Sequence, residues 1–347
     1  MNKMLNPKII SFLQIKTLAY ASLGGAVFLF LGLPLPLFIG PMLGCLVAAL
    51  IGFRLKGFDK ISIFMRTILG VAIGSTFTPE ILSEIGQLGA SLIIIPLFLL
   101  VICTVGYFYF KILGFDTGTS YYGSIPGGLV EMLVFGDKAG ANVRVLSLIH
   151  ATRVLVIMLV VPFVITTIWG IDLTHLPGVY INQVPILEIG LMIFAAITGW
   201  RLAVVLKVPG ATILGPMVLT SILTLTDLIH FRPPVEFIWG AQFFIGLGVG
   251  IRYNGVTGVE VRQYILSALG YCLLLGFVSL LFVFVVVGLL DTSPMDTLLA
   301  YLPGGQAEMG IIAIVSNADM AFVISHHALR LILVLLLVQV FARWILK

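Results

Sequence analysis

Apolar residues along this chain gather into runs long enough, or nearly so, to cross a bilayer, and polar residues are confined to the short joins between them. The runs fall at about 17–33, 37–53, 61–78, 88–113, 119–136 and 143–170, and then at about 186–206, 211–230, 237–253, 263–290, 295–316 and 320–345. The second set answers the first. Ser124 to Met132 reads SIPGGLVEM and Leu302 to Met309 reads LPGGQAEM, so Pro126, Gly127, Gly128, Glu131 and Met132 return as Pro303, Gly304, Gly305, Glu308 and Met309, each 177 positions on. Pro34 with Gly40-Pro41-Met42 returns as Pro209 with Gly215-Pro216-Met217 at an offset of 175. Gly70 and Gly74 return as Gly246 and Gly250 at 176, and His150 and Arg153 as His327 and Arg330 at 177. The chain reads as a duplication, with residues 12–175 forming one membrane repeat and 186–347 the other. A unit of that length is far too long for a solenoid and suits the two-halves plan of many secondary transporters.

Both PGG stretches interrupt apolar sequence. Proline removes a backbone donor and biases its predecessor to extended geometry, and glycine is entropically weak in a helix, so a regular helix stops there. Irregular backbone at membrane depth is tolerated only where protein or a water-lined cavity satisfies its polar groups, so two matching breaks point to a transport site. A kink from ordinary helix packing is the competing reading.

Composition settles the class. Apolar residues make up 60% of the chain, charged residues 10%, and the mean hydropathy is +1.18, against a charged share of about 25% in soluble domains. The expectation is an all-α polytopic membrane protein. The net charge of +4 is spread over short loops with no basic run, which excludes a nucleic-acid surface. Cys45, Cys103 and Cys272 are odd in number and far apart in apolar runs, so they read as packing residues, not as a disulfide or metal framework. Lys3, Lys8 and Lys16 precede the first run, but more spans follow and no small-residue cleavage site is clear, so no cleaved leader is expected.

The chemistry-bearing residues cluster at the breaks. Glu131 and Glu308 lie a turn beyond each glycine pair, where a new half-helix would start with free N–H groups and a partial positive end. They read either as helix-start residues or as proton or cation sites, since ionisable groups inside a membrane tend to mark pathways. Arg153 and Arg330 fall near mid-depth, about 15 Å into their runs. Each needs an anionic partner, either its own repeat's glutamate or a bound anion. His150 and His327 precede their arginines by three residues on the same helical face, as proton relays, anion donors or partners of a buried carbonyl. The candidate substrate-binding set is Gly127, Gly128, Glu131, His150, Arg153, Gly304, Gly305, Gln306, Glu308, His327 and Arg330. Asp116, Thr119 and Ser120 before the first break, and Asp291, Asp296 and Thr297 before the second, suit capping or the lining of a mouth. Asp137, Asn142, Asn317 and Asp319 read as turn residues, and Gly40-Pro41 and Gly215-Pro216 as tight helix starts packed on the PGG segments.

As a set, the doubled P-G-G-x-x-E-M, the doubled G-P-M, and the stretches HATRVLV and HHALRLILV with SNADMAF before the second resemble the AbrB family over essentially the whole chain. That resemblance implies an integral membrane protein with an internal duplication and nothing narrower, because members carry two conflicting labels, ammonia monooxygenase and regulator of gene expression. The residues argue against both as direct activities. A copper or iron oxygenase needs clustered ligands, whereas the five histidines are His150, His175, His230, His326 and His327, and the one adjacent pair points to different helix faces. A DNA-binding regulator needs a soluble basic module, and no stretch is long enough to hold one.

The expectation is therefore a non-enzymatic secondary transporter of a small anionic organic solute, coupled to protons through a glutamate or histidine. A membrane sensor that affects gene expression indirectly is the alternative and a membrane-bound monooxygenase the third reading. No cofactor or metal is expected. The expected partners are a small-molecule substrate and membrane lipid, with a homodimer left open and no nucleic acid. The setting is a bacterial cytoplasmic (inner) membrane.

Positive charges orient the chain. If all twelve runs crossed with the N-terminus inside, six lysines and arginines would lie outside against ten inside. If 119–136 and 295–316 instead enter and return on one side, only Arg232 lies outside against fifteen inside, with Arg66, Arg153 and Arg330 in the membrane. The second arrangement has ten crossings, two five-crossing halves of inverted topology and both termini cytoplasmic. Reporter fusions after Lys60 and after Lys207 should then both report cytoplasm; a periplasmic signal after Lys207 would show the halves to be parallel.

Overall fold

The computed structural model describes residues 12–77, 85–174, 178–208 and 210–345, and every regular element among them is helical. The first half comprises α1 (Phe12–Phe30), α2 (Pro36–Leu50), α3 (Asp59–Gly74), α4 (Ile85–Ile112), the short pair α5 (Thr117–Ser124) and α6 (Leu129–Lys138), and α7 (Val143–Trp169). The second comprises α8 (Ile186–Val205), α9 (Ala211–Leu225) and α10 (Val235–Gly250). It continues with α11 (Gly258–Glu260), which runs through a π turn at Val261–Ile265 into α12 (Leu266–Leu290), the short pair α13 (Pro294–Tyr301) and α14 (Gln306–Val315), and α15 (Met320–Ile345). His175 and Pro209 lie outside the described residues.

Among the described residues, seven stretches are long and apolar enough to cross a membrane: 12–30, 88–112, 143–169, 186–205, 235–253, 258–290 and 320–345. Three of the expected crossings are shorter. At 15 or 16 residues, α2, α3 and α9 rise only about 23 Å, less than a hydrocarbon core of roughly 30 Å. Each packs one face into the protein and exposes the other: α2 buries Phe38, Ile39, Met42 and Cys45 completely, and α9 buries Ile213 and Leu214 while Val218 and Ile222 are exposed. Large apolar side chains also cover the outer surface, including Phe30, Ile93, Ile112, Ile186, Leu273 and Phe284. Water would not tolerate so continuous an apolar exterior, and lipid requires it.

Small residues let the helices cross at backbone distance, as they do in membranes where lipid tails remove the hydrophobic drive for association. Gly24 of α1 faces Gly40 and Gly44 of α2, and Gly199 of α8 faces Gly215 of α9. The two halves then interlock. Gly70 and Gly74 of α3 lie on the Ile213 and Met217 carbonyls of α9, and Gly246 and Gly250 of α10 lie on the Phe38 and Met42 carbonyls of α2.

The G-P-M motifs thus have a different role from the one their sequence suggests. Helix α2 starts at Pro36 and α9 at Ala211, so Pro41 and Pro216 lie inside helices, not at their starts. Gly40 and Gly215 pack on α1 and α8, not on the PGG segments. The two starts do share a device, since Leu35 (φ 47) and Gly210 (φ 64) both enter the left-handed region immediately before the helix. Leu35 adopts it without glycine's freedom, held by a hydrogen bond from its N–H to the Leu173 carbonyl (3.1 Å).

A methyl group separates crossing glycines from spectators. On Gly246 a Cβ would strike the Phe38 carbonyl, whereas on Gly276 it would meet open space. Gly246→Ala should lower stability by about 1–3 kcal/mol. Gly276→Ala should be neutral or stabilising by up to about 1 kcal/mol. Thermal unfolding in one detergent checks both, and equal midpoints would remove the crossing from the account.

Candidate functional site

Each PGG stretch forms a joint between two short helices. Helix α5 ends at Ser124, the chain turns through Ile125-Pro126-Gly127, and α6 begins after Gly128; α13, Leu302-Pro303-Gly304 and α14 repeat this after Tyr301. A three-residue turn closes each joint, with Gly127 N–H donating to Ile125 O (2.9 Å) and Gly304 N–H to Leu302 O (2.8 Å). Proline sits at its centre, where its fixed φ of about −65° is close to what an inverse γ-turn requires.

A helix that stops inside the protein leaves carbonyls without partners. At the first joint the Arg153 guanidinium on α7 donates to Ile125 O (3.4 Å) and Gly127 O (3.1 Å), and His150 Nε2–H donates to Tyr122 O (3.2 Å). The second joint repeats the arrangement: Arg330 donates to Leu302 O (3.2 Å) and Gly304 O (2.6 Å), and His327 Nε2–H to Leu299 O (2.9 Å). Donor and acceptor are separated by the same number of residues in both halves. The sequence offered each arginine a glutamate or a bound anion; in the structure each guanidinium donates to carbonyls at its own helix break. The histidines take the third role considered for them.

The other side of each joint explains P-G-G-x-x-E-M. The Glu131 carboxylate folds back so that its Oε2 occupies the place a Cβ on Gly128 would take, and Glu308 does the same over Gly305. The thioethers of Met132 and Met309, both fully buried, fill the corresponding space beside Gly127 and Gly304. Each joint therefore carries an arginine on its carbonyl end and a carboxylate at its N–H end, the signs that the two half-helix dipoles favour.

The two joints meet through the α7 region. Gly304 lies against Ile157, a turn beyond Arg153. Gln306 opens α14 with its Oε1 beside Gly210 and its Nε2 buried without a hydrogen-bond partner among the described residues. Among the eleven candidate residues the two glutamates differ most in enclosure: Glu308 is 9% exposed and Glu131 half-buried.

Several supporting residues carry no sequence signal. Tyr271 donates to Ser124 O (2.5 Å) and Ser279 to Tyr301 O (3.3 Å), so α12 closes one carbonyl at each joint. Tyr301 and Ser91 pair across α13 and α4 (Tyr301 Oη–H to Ser91 O, 2.9 Å). These are lone hydroxyls in apolar runs with partners up to 210 residues away, which no spacing rule detects.

Caps follow position more closely than residue type. Asp116 caps α5 by accepting from Thr119 N–H (2.8 Å), but Ser293, not Asp291 or Asp296, caps α13. Asp296 accepts instead from Asp319 N–H (3.0 Å), as Thr119 does from Asn142 N–H (2.9 Å). Asn142 and Asp319, read from sequence as turn residues, are the N-caps of α7 and α15, accepting from Val145 and Phe322 N–H. Of the two other described histidines, His230 bridges Glu188 and Asp227 (both 3.1 Å) after α9, and these carboxylates, Glu188 first, push its imidazole above its ordinary value.

An all-helical chain with an apolar exterior, long spans and two charge-compensated helix breaks is a protein of the membrane-spanning type. The sequence pattern of the AbrB family, described as "Transition state regulatory protein AbrB", matches residues 37–346, and the chain belongs to that family. It is 28% identical over 328 residues to "Putative regulator AbrB" of Escherichia coli (strain K12), covering 92% of each chain. It is 26% identical over 301 residues to "Uncharacterized protein YhjN" of Bacillus subtilis (strain 168), covering 80% of this chain and 77% of that one. No solved structure matches.

Lysine in place of either arginine keeps the charge but loses the fork that spans two carbonyls. Arg153→Lys and Arg330→Lys should each lower stability by about 1.5–3 kcal/mol, the range for a hydrogen bond to a charged group. Thermal unfolding of the purified variants checks this, and parental midpoints in both would show that the carbonyl bonds do not hold the joints.

Proposed function

We propose that the protein is a secondary transporter of a small organic anion, driven by protons across a bacterial cytoplasmic membrane and acting as a carrier, not an enzyme. The carrying observation is the pair of joints, which set two half-helix N-termini beside two buried arginines. In α6 and α14 the first backbone bonds are Met132 N–H to Gly128 O and Met309 N–H to Gly305 O, so three N–H groups precede each. Such N-termini favour a carboxylate or similar anion. The arginines add positive field and hold the joint in shape while their forks remain on the carbonyls. Two five-crossing halves of opposite orientation, read from the distribution of lysine and arginine, would let the joints alternate between membrane faces.

A regulatory reading is favoured by one observation, the name "Putative regulator AbrB" carried by a relative aligned over 92% of each chain. Purified protein in liposomes separates the two. A transporter takes up radiolabelled carboxylates under an inward proton gradient with no partner present, and a sensor of another protein does not.

Glu308 is the coupling acid in this reading because Gln306 makes its segment the more polar of the two and it is the more enclosed joint carboxylate. Glu308→Gln should abolish proton-driven uptake while preserving exchange of labelled for unlabelled solute. Parental uptake in that variant would remove Glu308 from coupling; a helix-start role alone would cost about 0.3–1 kcal/mol and spare both activities.

A further inference from the structure

His326 is a buried titratable group that the joints do not use. It is fully buried on α15, as are Ser91 on α4 and Tyr301 on α13, and the three side chains form one hydrogen-bonded cluster. The carbonyl of Phe322 can only accept, so its 2.7 Å contact places a proton on His326 Nδ1. Nε2 of the neutral ring is then an acceptor, and the Ser91 hydroxyl donates to it at 2.8 Å. Tyr301 spends its own proton on Ser91 O (2.9 Å), which leaves a lone pair of its oxygen 3.3 Å from Ser91 Oγ.

This arrangement accepts a proton without losing a hydrogen bond. When Nε2 is protonated it donates to Ser91 Oγ, and the Ser91 hydroxyl rotates to donate to Tyr301 Oη. His150 and His327 are built the other way, with Nε2–H on a carbonyl and a buried Nδ1 that has no partner among the described residues. A proton on either Nδ1 would be an unpartnered buried N–H.

We infer that His326, Ser91 and Tyr301 form a proton-binding site, with His326 as the proton carrier. The surrounding groups fit that role. Tyr301 and Ser91 are the polar side chains that α13 and α4 present to it, and α4 brings no charge at this point. On its own helix the neighbours are His327 and Arg330, whose side chains engage Leu299, Leu302 and Gly304 carbonyls. His326 and Arg330 are four residues apart on one helix face, so an imidazolium here opposes the cation that closes the second joint. Proton binding is thereby linked to that joint alone, because Ile149 and Ser124 stand in the first half where His326 and Tyr301 stand in the second.

The inference goes beyond the transport reading and does not require a solute, so its test reads protonation itself. Full-length protein carrying ring-15N histidine is titrated in detergent micelles, with His326 assigned by loss of its signal in His326→Asn. At neutral pH His326 should show the Nδ1–H tautomer, and His150 and His327 the Nε2–H tautomer. On acidification the His326 signal should become the imidazolium pattern before those of His150 and His327, after the exposed His230, while the protein stays folded. Ser91→Ala, which removes the acceptor for the new Nε2–H, should delay that change by at least tenfold in proton concentration; Ser91→Thr, which keeps the hydroxyl, should not. An Nε2–H tautomer at His326, or protonation no earlier than His150 and His327, would overturn the assignment. So would equal titration of Ser91→Ala and parent.

Discussion

A helix broken inside an apolar protein must find partners for the groups it unpairs, and this constraint organises the molecule. Each break leaves several carbonyls on one side and the N–H groups of a new helix on the other, each expensive to strand away from water. Arg153 and His150, with Tyr271, serve the first carbonyl end; Arg330 and His327, with Ser279, serve the second. The carboxylates of Glu131 and Glu308 lie over the glycines at the other side. An arginine suits this position better than any neutral donor. It spans two carbonyls two residues apart and places positive charge at the negative end of a short helix dipole.

The rest of the structure keeps those partners in place. Helices α2, α3 and α9 are too short to stand alone in a bilayer, and the glycine crossings hold them against their neighbours. The exchange of contacts between halves, α3 on α9 and α10 on α2, makes neither half complete without the other. Such crossings need backbone-to-backbone approach and tolerate no added methyl group, so they restrict sequence at positions far from any ionisable residue.

The halves share this frame and differ in detail. Where the second has Tyr301 and His326, the first has Ser124 and Ile149, and Gln306 replaces Leu129 at the start of the second half-helix. Glu308 is also more enclosed than Glu131. Two equivalent joints surrounded by different polar groups can divide labour, one serving mainly as scaffold and the other answering to protons.

The sequence alone determined the class, the position of both breaks and the correspondence of Arg153 with Arg330 and Glu131 with Glu308. Its composition, run lengths and repeated motifs are local properties, and membrane chemistry makes each of them restrictive. It also offered Asp116, with Thr119 and Ser120, for capping or for lining a mouth, and the structure gives Asp116 the cap. The tertiary structure decided where the side chains point. An arginine that could face a glutamate, an anion or a carbonyl looks the same in sequence, and only the packing of α7 and α15 against the joints selects the carbonyl. Gly40-Pro41 likewise resembled a helix start until α1 was seen to lie against it, and Ser293 took the cap that Asp291 or Asp296 seemed to offer. Ser91, Tyr271, Ser279 and His326 gave no local sign, since a single hydroxyl or imidazole in an apolar run acquires its partner only when distant helices meet.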